Sequence, residues 1–279
     1  MKVPLTVPTK QKKKYTKNFA QLTYEDPYER IFIFAADQRL EHLYDDFHGP
    51  EVPVEATRPE HIFEISSKAP ISALATHFGL ISRYGMDFKD IPYIVKVNGK
   101  SNLIGTTDQD PISSTLFSLE TIINSSQSIN IVGLGYTIYL GSIYESSMLQ
   151  EAAKVVQVAH ENGLIATLWI YPRGNYINRE KQQYLSAGAT GVGLSLGADF
   201  VKIMPPPSFA ELTLAVQNSG NTGVICAGGI SQDSKQLLKT LDKQINAGAR
   251  GCAIGRNIFQ KTKRDAITFC QQIYNILYS

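Results

Sequence analysis

A single closed (β/α)8 barrel of the α/β class is the fold this sequence predicts, on three observations. Eight short apolar runs recur along 279 residues, most of them continuous, as strands buried on both faces are. Helical patterns fall between them, as alternating β/α units require. The length also fits, because eight such units take about 250 residues. The competing fold is an open doubly wound sheet. It needs a glycine-rich turn after its first strand, and Phe34-Ala35-Ala36-Asp37-Gln38-Arg39 contains no glycine.

The elements follow in order. The first strand is expected over 31–35, a helix over 59–67, and the second strand over 71–76. A short helix over 80–84 leads to a third strand at 93–97, and a helix over 114–124 leads to a fourth at 129–134. Met148, Leu149, Ala152, Val155, Val156 and Ala159 recur at helical spacing within 145–162, and Gly163 is placed to end that helix. Strands five and six are expected over 165–170 and 200–204. Ser208 is an N-cap for a helix over 209–217, with Glu211 three residues on completing a capping box. The seventh strand falls at 224–227, followed by a helix over 233–246 that ends at Gly248. The eighth falls at 252–254, and a last helix runs from about 257 to the end. The domain assignment is a basic N-terminal extension over 1–25 and a barrel catalytic domain over 26–279.

Composition excludes several classes of function. An apolar fraction of 43% argues against disorder, and three cysteines in apolar stretches, without ligand spacing, read as core thiols. No apolar run approaches the roughly 18 residues of a membrane span, so neither a membrane nor a secretory route is expected, and the cytoplasm is the simplest compartment. The first 17 residues hold six lysines and no acid; without them 21 basic residues face 25 acidic ones, a body of net charge −4. No nucleic-acid partner is expected, because the body offers no basic face and the arm has a single tyrosine. The arm reads as a solvated tail or a subunit contact, with a polyanion contact as the alternative.

Active sites of such barrels lie at the C-terminal strand ends. Those ends collect polar and aromatic groups: Asp37; Thr76 and His77; Lys96 with Asn98; Tyr136; Trp169 and Tyr171 with Arg173; Lys202; Gly228 and Gly229; Gly255 and Arg256. Lys202 shares strand parity with Phe200 and Met204. An amine among large apolar groups loses its proton more easily and becomes a nucleophile toward carbonyls, unless it reaches the rim and pairs with a carboxylate such as Asp37. Lys96 either assists that amine, as a second cation or a substrate contact, or forms an ion pair with Asp37 or Glu41. Trp169 and Tyr171 share parity and point into the barrel mouth, where a phenol can relay protons or simply pack. Arg173 is placed to meet an anion. The glycine turns Gly228-Gly229 and Gly255-Arg256 follow the last two strands, the usual phosphate position of this fold.

The segments Gly135-Tyr136-Thr137-Ile138-Tyr139-Leu140-Gly141-Ser142, Trp169-Ile170-Tyr171-Pro172-Arg173-Gly174, Gly197-Ala198-Asp199-Phe200-Val201-Lys202 and Ala253-Ile254-Gly255-Arg256-Asn257-Ile258-Phe259-Gln260 resemble the archaeal-type class I fructose-1,6-bisphosphate aldolases, with deoxyribose-phosphate aldolases as wider relatives. The resemblance spans about 31–260. It implies reversible, metal-free and cofactor-free cleavage of fructose 1,6-bisphosphate to dihydroxyacetone phosphate and glyceraldehyde 3-phosphate, in a homo-oligomer. It assigns Lys202 to the Schiff base, Tyr171 to proton transfer, Trp169 to the neighbouring indole and Asp37 to the strand-one aspartate. Two loops depart from the pattern: Arg39 stands where the family usually has a glycine, and Lys202 is followed closely by Pro205-Pro206-Pro207. The alternatives are a related Schiff-base aldolase or transaldolase-like synthase for another phosphorylated keto compound, and a non-catalytic barrel that binds a sugar phosphate or a protein.

Overall fold

The computed structural model describes residues 2–105, 108–177 and 182–278. Eight parallel strands close a barrel: β1 (Ile31–Ala35), β2 (Ala73–His77), β3 (Tyr93–Lys96), β4 (Ile131–Leu140), β5 (Ile165–Pro172), β6 (Phe200–Ile203), β7 (Gly223–Ala227) and β8 (Gly251–Ile254), each paired with its neighbours in sequence and β8 with β1. Closure runs from Ile31 opposite Gly251 to Phe34 opposite Ile254. This is a TIM barrel.

Parity sorts each strand's side chains into two cores. Ile33, Ala75, Ile94, Trp169, Phe200, Ile225 and Ala253 fill the interior, whereas Phe32, Leu74, Val95, Leu168, Val201, Cys226 and Cys252 pack outward against the helices. The three thiols are buried and unpaired. Strands β4 and β5 extend six and two residues beyond the expected runs, because their rim residues mix polar and aromatic side chains. A register shift where β4 meets Tyr93 and Ile94 changes the parity of β4, so that Leu134, Tyr136 and Ile138 face outward.

The helices are α1 (Lys12–Thr23), α2 (Gln38–Glu41), α3 (Glu60–Ser66), α4 (Phe78–Tyr84), α5 (Leu119–Ser125), α6 (Glu145–Glu161), α7 (Gln182–Ser195), α8 (Phe209–Asn218), α9 (Ser234–Asn246), α10 (Arg256–Phe259) and α11 (Lys263–Tyr278). Ser208 caps α8 by accepting from the Glu211 amide at 3.2 Å, and Gly163 and Gly248 follow their helices at φ +68° and +98°. The helix expected over 114–124 starts only at Leu119, since Ser114–Thr115 instead pairs with Asn98–Gly99. The last helix is broken before Lys263, where Thr262 Oγ1 accepts from the Asp265 amide at 3.2 Å and starts a new one. Its Ile273 and Leu277 are fully buried against the barrel, so these two serve the outer layer.

Residues 2–23 are not a solvated tail. Helix α1 lies across the N-terminal end of the barrel and buries Tyr15, Phe19 and Leu22, one apolar face at helical spacing, with Lys12, Lys13 and Lys17 exposed. Phe19 stacks on Phe200 (centroids 5.7 Å, 21°), Asn18 Nδ2 donates to Gly163 O at 2.8 Å, and the Tyr15 hydroxyl donates to Asp199. Burying three such side chains contributes about 1.5–3 kcal/mol each. No helix among the described residues is long and apolar enough to cross a membrane.

Candidate active site

The opposite end of the barrel carries the polar groups. Lys202 extends the interior column of Phe200 on β6, is 6% exposed, and stands in register with Trp169 on β5. Its amine lies 5.5 Å from the centre of the Trp169 ring. Lys96 on β3, wholly buried, lies 5.3 Å from the same ring. The two amines differ in their partners. Lys96 Nζ donates to Asp37 Oδ2 and Glu41 Oε1, each at 3.2 Å, whereas Lys202 forms no ion pair among the described residues.

Partners decide charge. Burial opposes charge on Lys96, but Glu41 and Asp37 overcome it and hold the ammonium above the usual lysine range. Burial also works against an ionised Asp37, yet Lys96, Lys202 and His77 keep its carboxyl well below the usual range. Burial pushes the Lys202 amine down, and Lys96 adds to that against the pull of Asp37 and Glu41. The arrangement therefore separates a permanent cation from an amine that gives up its proton. Of the two sequence readings of Lys96, the ion pair holds, and the same cation also depresses Lys202.

Tyr171 sits at the rim in register with Tyr139 of β4, the rings 6.5 Å apart. Burial, then Asp37 and Glu41, raise the Tyr171 phenol well above its ordinary value, so it stays protonated and can donate. Exposed Arg173 lies 4.9 Å over the Tyr171 ring, facing the mouth where an anion can reach it. Going round the barrel, Tyr171, Lys202, Gly228, Gly255 and Asp37 follow one another at or just past the C-terminal ends of β5, β6, β7, β8 and β1.

The two glycine turns adjoin through Asn257, whose Nδ2 donates to Ile230 O at 2.9 Å while its Oδ1 accepts from the Gln232 amide at 2.9 Å. Gly229 takes φ +72° with open space where a Cβ would stand; a Cβ on Gly255 would come 2.6 Å from Gln38 Nε2. Both positions need glycine, one for its backbone and one for a close approach. Arg256 stands beside this junction, its guanidinium 3.7 Å from Asp46.

The structure thus sets Lys202 and Lys96 against the Trp169 indole, with Asp37 bound to Lys96 and Tyr171 at the rim, and places Gly228, Gly229, Gly255 and Arg256 at an adjoining corner. Tyr136 does not belong to either group. It faces outward, with its hydroxyl 3.0 Å from both Ser113 O and Glu151 Oε2, because the register shift reverses parity. Tyr139 takes the inward place, raised to about 12 by burial and then by Glu41. Glu41, named from the sequence as an alternative partner of Lys96, is a second carboxylate bound to that amine alongside Asp37. His77 is held neutral, pushed down to about 4 by burial and Lys96, and its Nε2 contacts Asn98 O at 3.2 Å. Gly135, which opens one of the segments that carry the resemblance, makes room for the indole: a Cβ there would overlap the Trp169 ring. Trp169 Nε1 is a buried donor with no hydrogen-bond partner among the described residues. Among the described residues no three His, Cys, Asp or Glu side chains are grouped to hold a metal ion.

Residues 31–261 match the family described as DeoC/LacD family aldolase. The chain belongs to that family. A relative from Methanocaldococcus jannaschii, named fructose-bisphosphate aldolase/6-deoxy-5-ketofructose 1-phosphate synthase, is 47% identical over 285 residues, 99% of this chain and 90% of the relative. A structure described as fructose-bisphosphate aldolase from Slackia heliotrinireducens superposes with a TM-score of 0.96 at 40% identity, covering 100% of this chain and 90% of that one. An archaeal fructose-1,6-bisphosphate aldolase with its catalytic lysine covalently bound to the carbinolamine intermediate of the substrate superposes at 0.82, with 28% identity, over 95% of this DeoC/LacD chain and 100% of that one.

Proposed function

We propose that the chain is a class I aldolase that reversibly cleaves fructose 1,6-bisphosphate to dihydroxyacetone phosphate and glyceraldehyde 3-phosphate through a Schiff base on Lys202. One observation carries the reading. Lys202 is a buried amine without a carboxylate partner, set beside a lysine that has two. The names of the relatives support the substrate.

In this reading the neutral amine adds to the C2 carbonyl, and loss of water leaves an iminium. Lys96 contributes one positive charge and Asp37 with Glu41 two negative ones, an excess negative charge that stabilises the iminium; the same charge also favours an ammonium on Lys202, which burial and Lys96 oppose. Asp37 orients the amine or accepts the C4 hydroxyl proton as the C3–C4 bond breaks. Tyr171 then protonates C3 of the enamine, and water releases the product. Trp169 walls the amine from solvent. Amides at Gly229 and Gly255 together with Arg256 hold the C1 phosphate, which places the ketone over Lys202, while the Gly228 amide donates to Ala253 O at 3.0 Å and lends only its turn. Arg173 meets the distal phosphate and Lys96 stays close to the substrate oxygens. The reading extends to a cytoplasmic enzyme that assembles with copies of itself.

A second reading, a synthase acting on another phosphorylated keto compound, is favoured by the double name of the Methanocaldococcus relative and by the Arg39 departure in the loop after β1. The test is covalent. With dihydroxyacetone phosphate and borohydride the intact protein gains the mass of the reduced adduct, and Lys202→Ala does not. No gain, or an equal gain in the variant, overturns the Schiff base. Rates of cleavage across a series of ketose phosphates then separate the two substrates.

A further inference from the structure

The segment after α2 is docked on α10. Phe47 stacks on Phe259 (5.0 Å, 14°), Gln260 Nε2 donates to Asp46 O at 2.8 Å, and the Arg39 guanidinium lies 4.1 Å over the Phe47 ring while donating to Thr57 O at 3.2 Å. The arginine that replaces the family's usual glycine thus pins this loop. Docking brings the buried Asp46 to the corner of the glycine turns. Its Oδ1 is 3.7 Å from Arg256 and its Oδ2 is 2.5 Å from His42 Nδ1. A separation of 3.7 Å is an ion pair but not a hydrogen bond, so the guanidinium keeps N–H groups for another anion.

The geometry points to Asp46 as a specificity-determining residue of the phosphate subsite: it positions Arg256, weakens that cation's attraction for phosphate, and ties the attraction to the protonation of His42. This rests on the reading that Arg256 meets the C1 phosphate. Asp46 and a phosphate dianion are like charges around one guanidinium. When His42 is an imidazolium the His42–Asp46 pair is neutral and Arg256 acts at full strength; when His42 is neutral, Asp46 competes. The charges acting on His42 come from Asp46 on the loop, Glu41 on α2 and Arg256 on α10. The bond to Asp46, against burial, holds His42 above the ordinary imidazole value, so the change falls on the alkaline side of a free histidine.

Inorganic phosphate is the probe, as a competitive inhibitor and as a direct ligand, with every constant expressed per dianion at each pH so that the second ionisation of the probe itself is removed. Its inhibition constant is expected to rise with pH through the His42 transition in the native chain. Asp46→Asn should lower that constant about three- to tenfold, the scale of one charge a few ångströms away in a partly solvated setting, and move the rise to lower pH. In His42→Gln the pH dependence should vanish. Reciprocity adds a readout in the unaltered protein, because saturating phosphate must then raise the pKa of His42 followed by NMR. An unmoved His42 titration, or Asp46→Asn binding phosphate no more tightly, overturns the proposal even if that variant folds poorly, since the titration needs no variant. Arg256→Ala separates the layers: if it leaves the constant unchanged, the reading of Arg256 as a phosphate contact fails; if it weakens binding while Asp46→Asn does not strengthen it, only the role of Asp46 fails.

Discussion

Lys96 donates to Asp37 at 3.2 Å in a place where neither side chain meets solvent to any extent, and this pair sets the charge of the whole catalytic end. Its cation is permanent because two carboxylates share it, and permanence is what lets Lys202 be neutral.

Lys96→Met should be costly in two ways. Asp37 and Glu41 lose their countercharge in a buried setting, which destabilises by about 3–5 kcal/mol in a denaturant titration. Lys202 also loses the cation that opposed its protonation while keeping the carboxylates that favour it, so its pKa rises. The acid limb of the kcat profile then moves to higher pH. An unmoved limb would show that Lys96 does not govern the nucleophile.

Lys202→Met, apolar and close in volume, should abolish turnover and raise the melting temperature by a few degrees near pH 7, the scale of about 1 kcal/mol for a chain of this length. The sign follows from linkage. The folded state lowers the Lys202 pKa, so below that pKa the unfolded chain holds the proton more favourably and stability suffers; the penalty disappears as pH rises toward the unfolded value of about 10.4. The advantage of the variant should therefore shrink between neutral pH and pH ~10. A constant or negative difference would contradict the burial argument.

Gly135→Ala should displace the indole. The added Cβ overlaps the Trp169 ring from the adjacent strand, an overpacking that costs about 1–3 kcal/mol. Trp169 is the single tryptophan of the chain, so its emission reports this site alone. The spectrum should shift and turnover fall at least about tenfold, since misplacing a catalytic neighbour by an ångström has that effect or more. An unchanged spectrum with normal turnover would mean that the strand absorbs the methyl without moving the ring.

Phe19→Ala removes the ring that closes the floor against Phe200 and should destabilise by about 3–5 kcal/mol. Because the change lies at the end of the barrel away from Lys202, kcat of the folded enzyme should stay within about twofold, less than a 0.5 kcal/mol change in barrier. Loss of turnover without loss of stability would place α1 in the catalytic machinery instead.

The strand pattern and the residues at the strand ends were legible because they are local. Runs such as 31–35 and 165–170 are apolar without alternation, which only a strand covered on both faces requires, and Lys202 shares its parity with Phe200 two residues earlier. Helix α7 was missed for the opposite reason: Gly188, Gly191 and Gly193 lower helix propensity. The barrel explains two of them. A Cβ at 193 would overlap Val201, and one at 191 would come 2.5 Å from Asn218 Nδ2, so these glycines let α7 approach β6 and α8 closely. Helix α1 was written in the sequence as Tyr15, Phe19 and Leu22, but six lysines hid what its apolar face covers.

By itself the sequence determined the barrel, the order of its strand ends and the lysine most suited to covalent chemistry, since periods of 2 and 3.6 residues and the type of residue at a strand end are properties of short segments. Only the tertiary structure decided which charges meet. Lys96 finds Asp37 and Glu41 across 59 and 55 residues, Arg256 finds Asp46 across a docked loop, and Tyr139 displaces Tyr136 through one register shift. Coulomb energy depends on distance and on exclusion of water, and both are created when β8 pairs with β1 and the barrel closes.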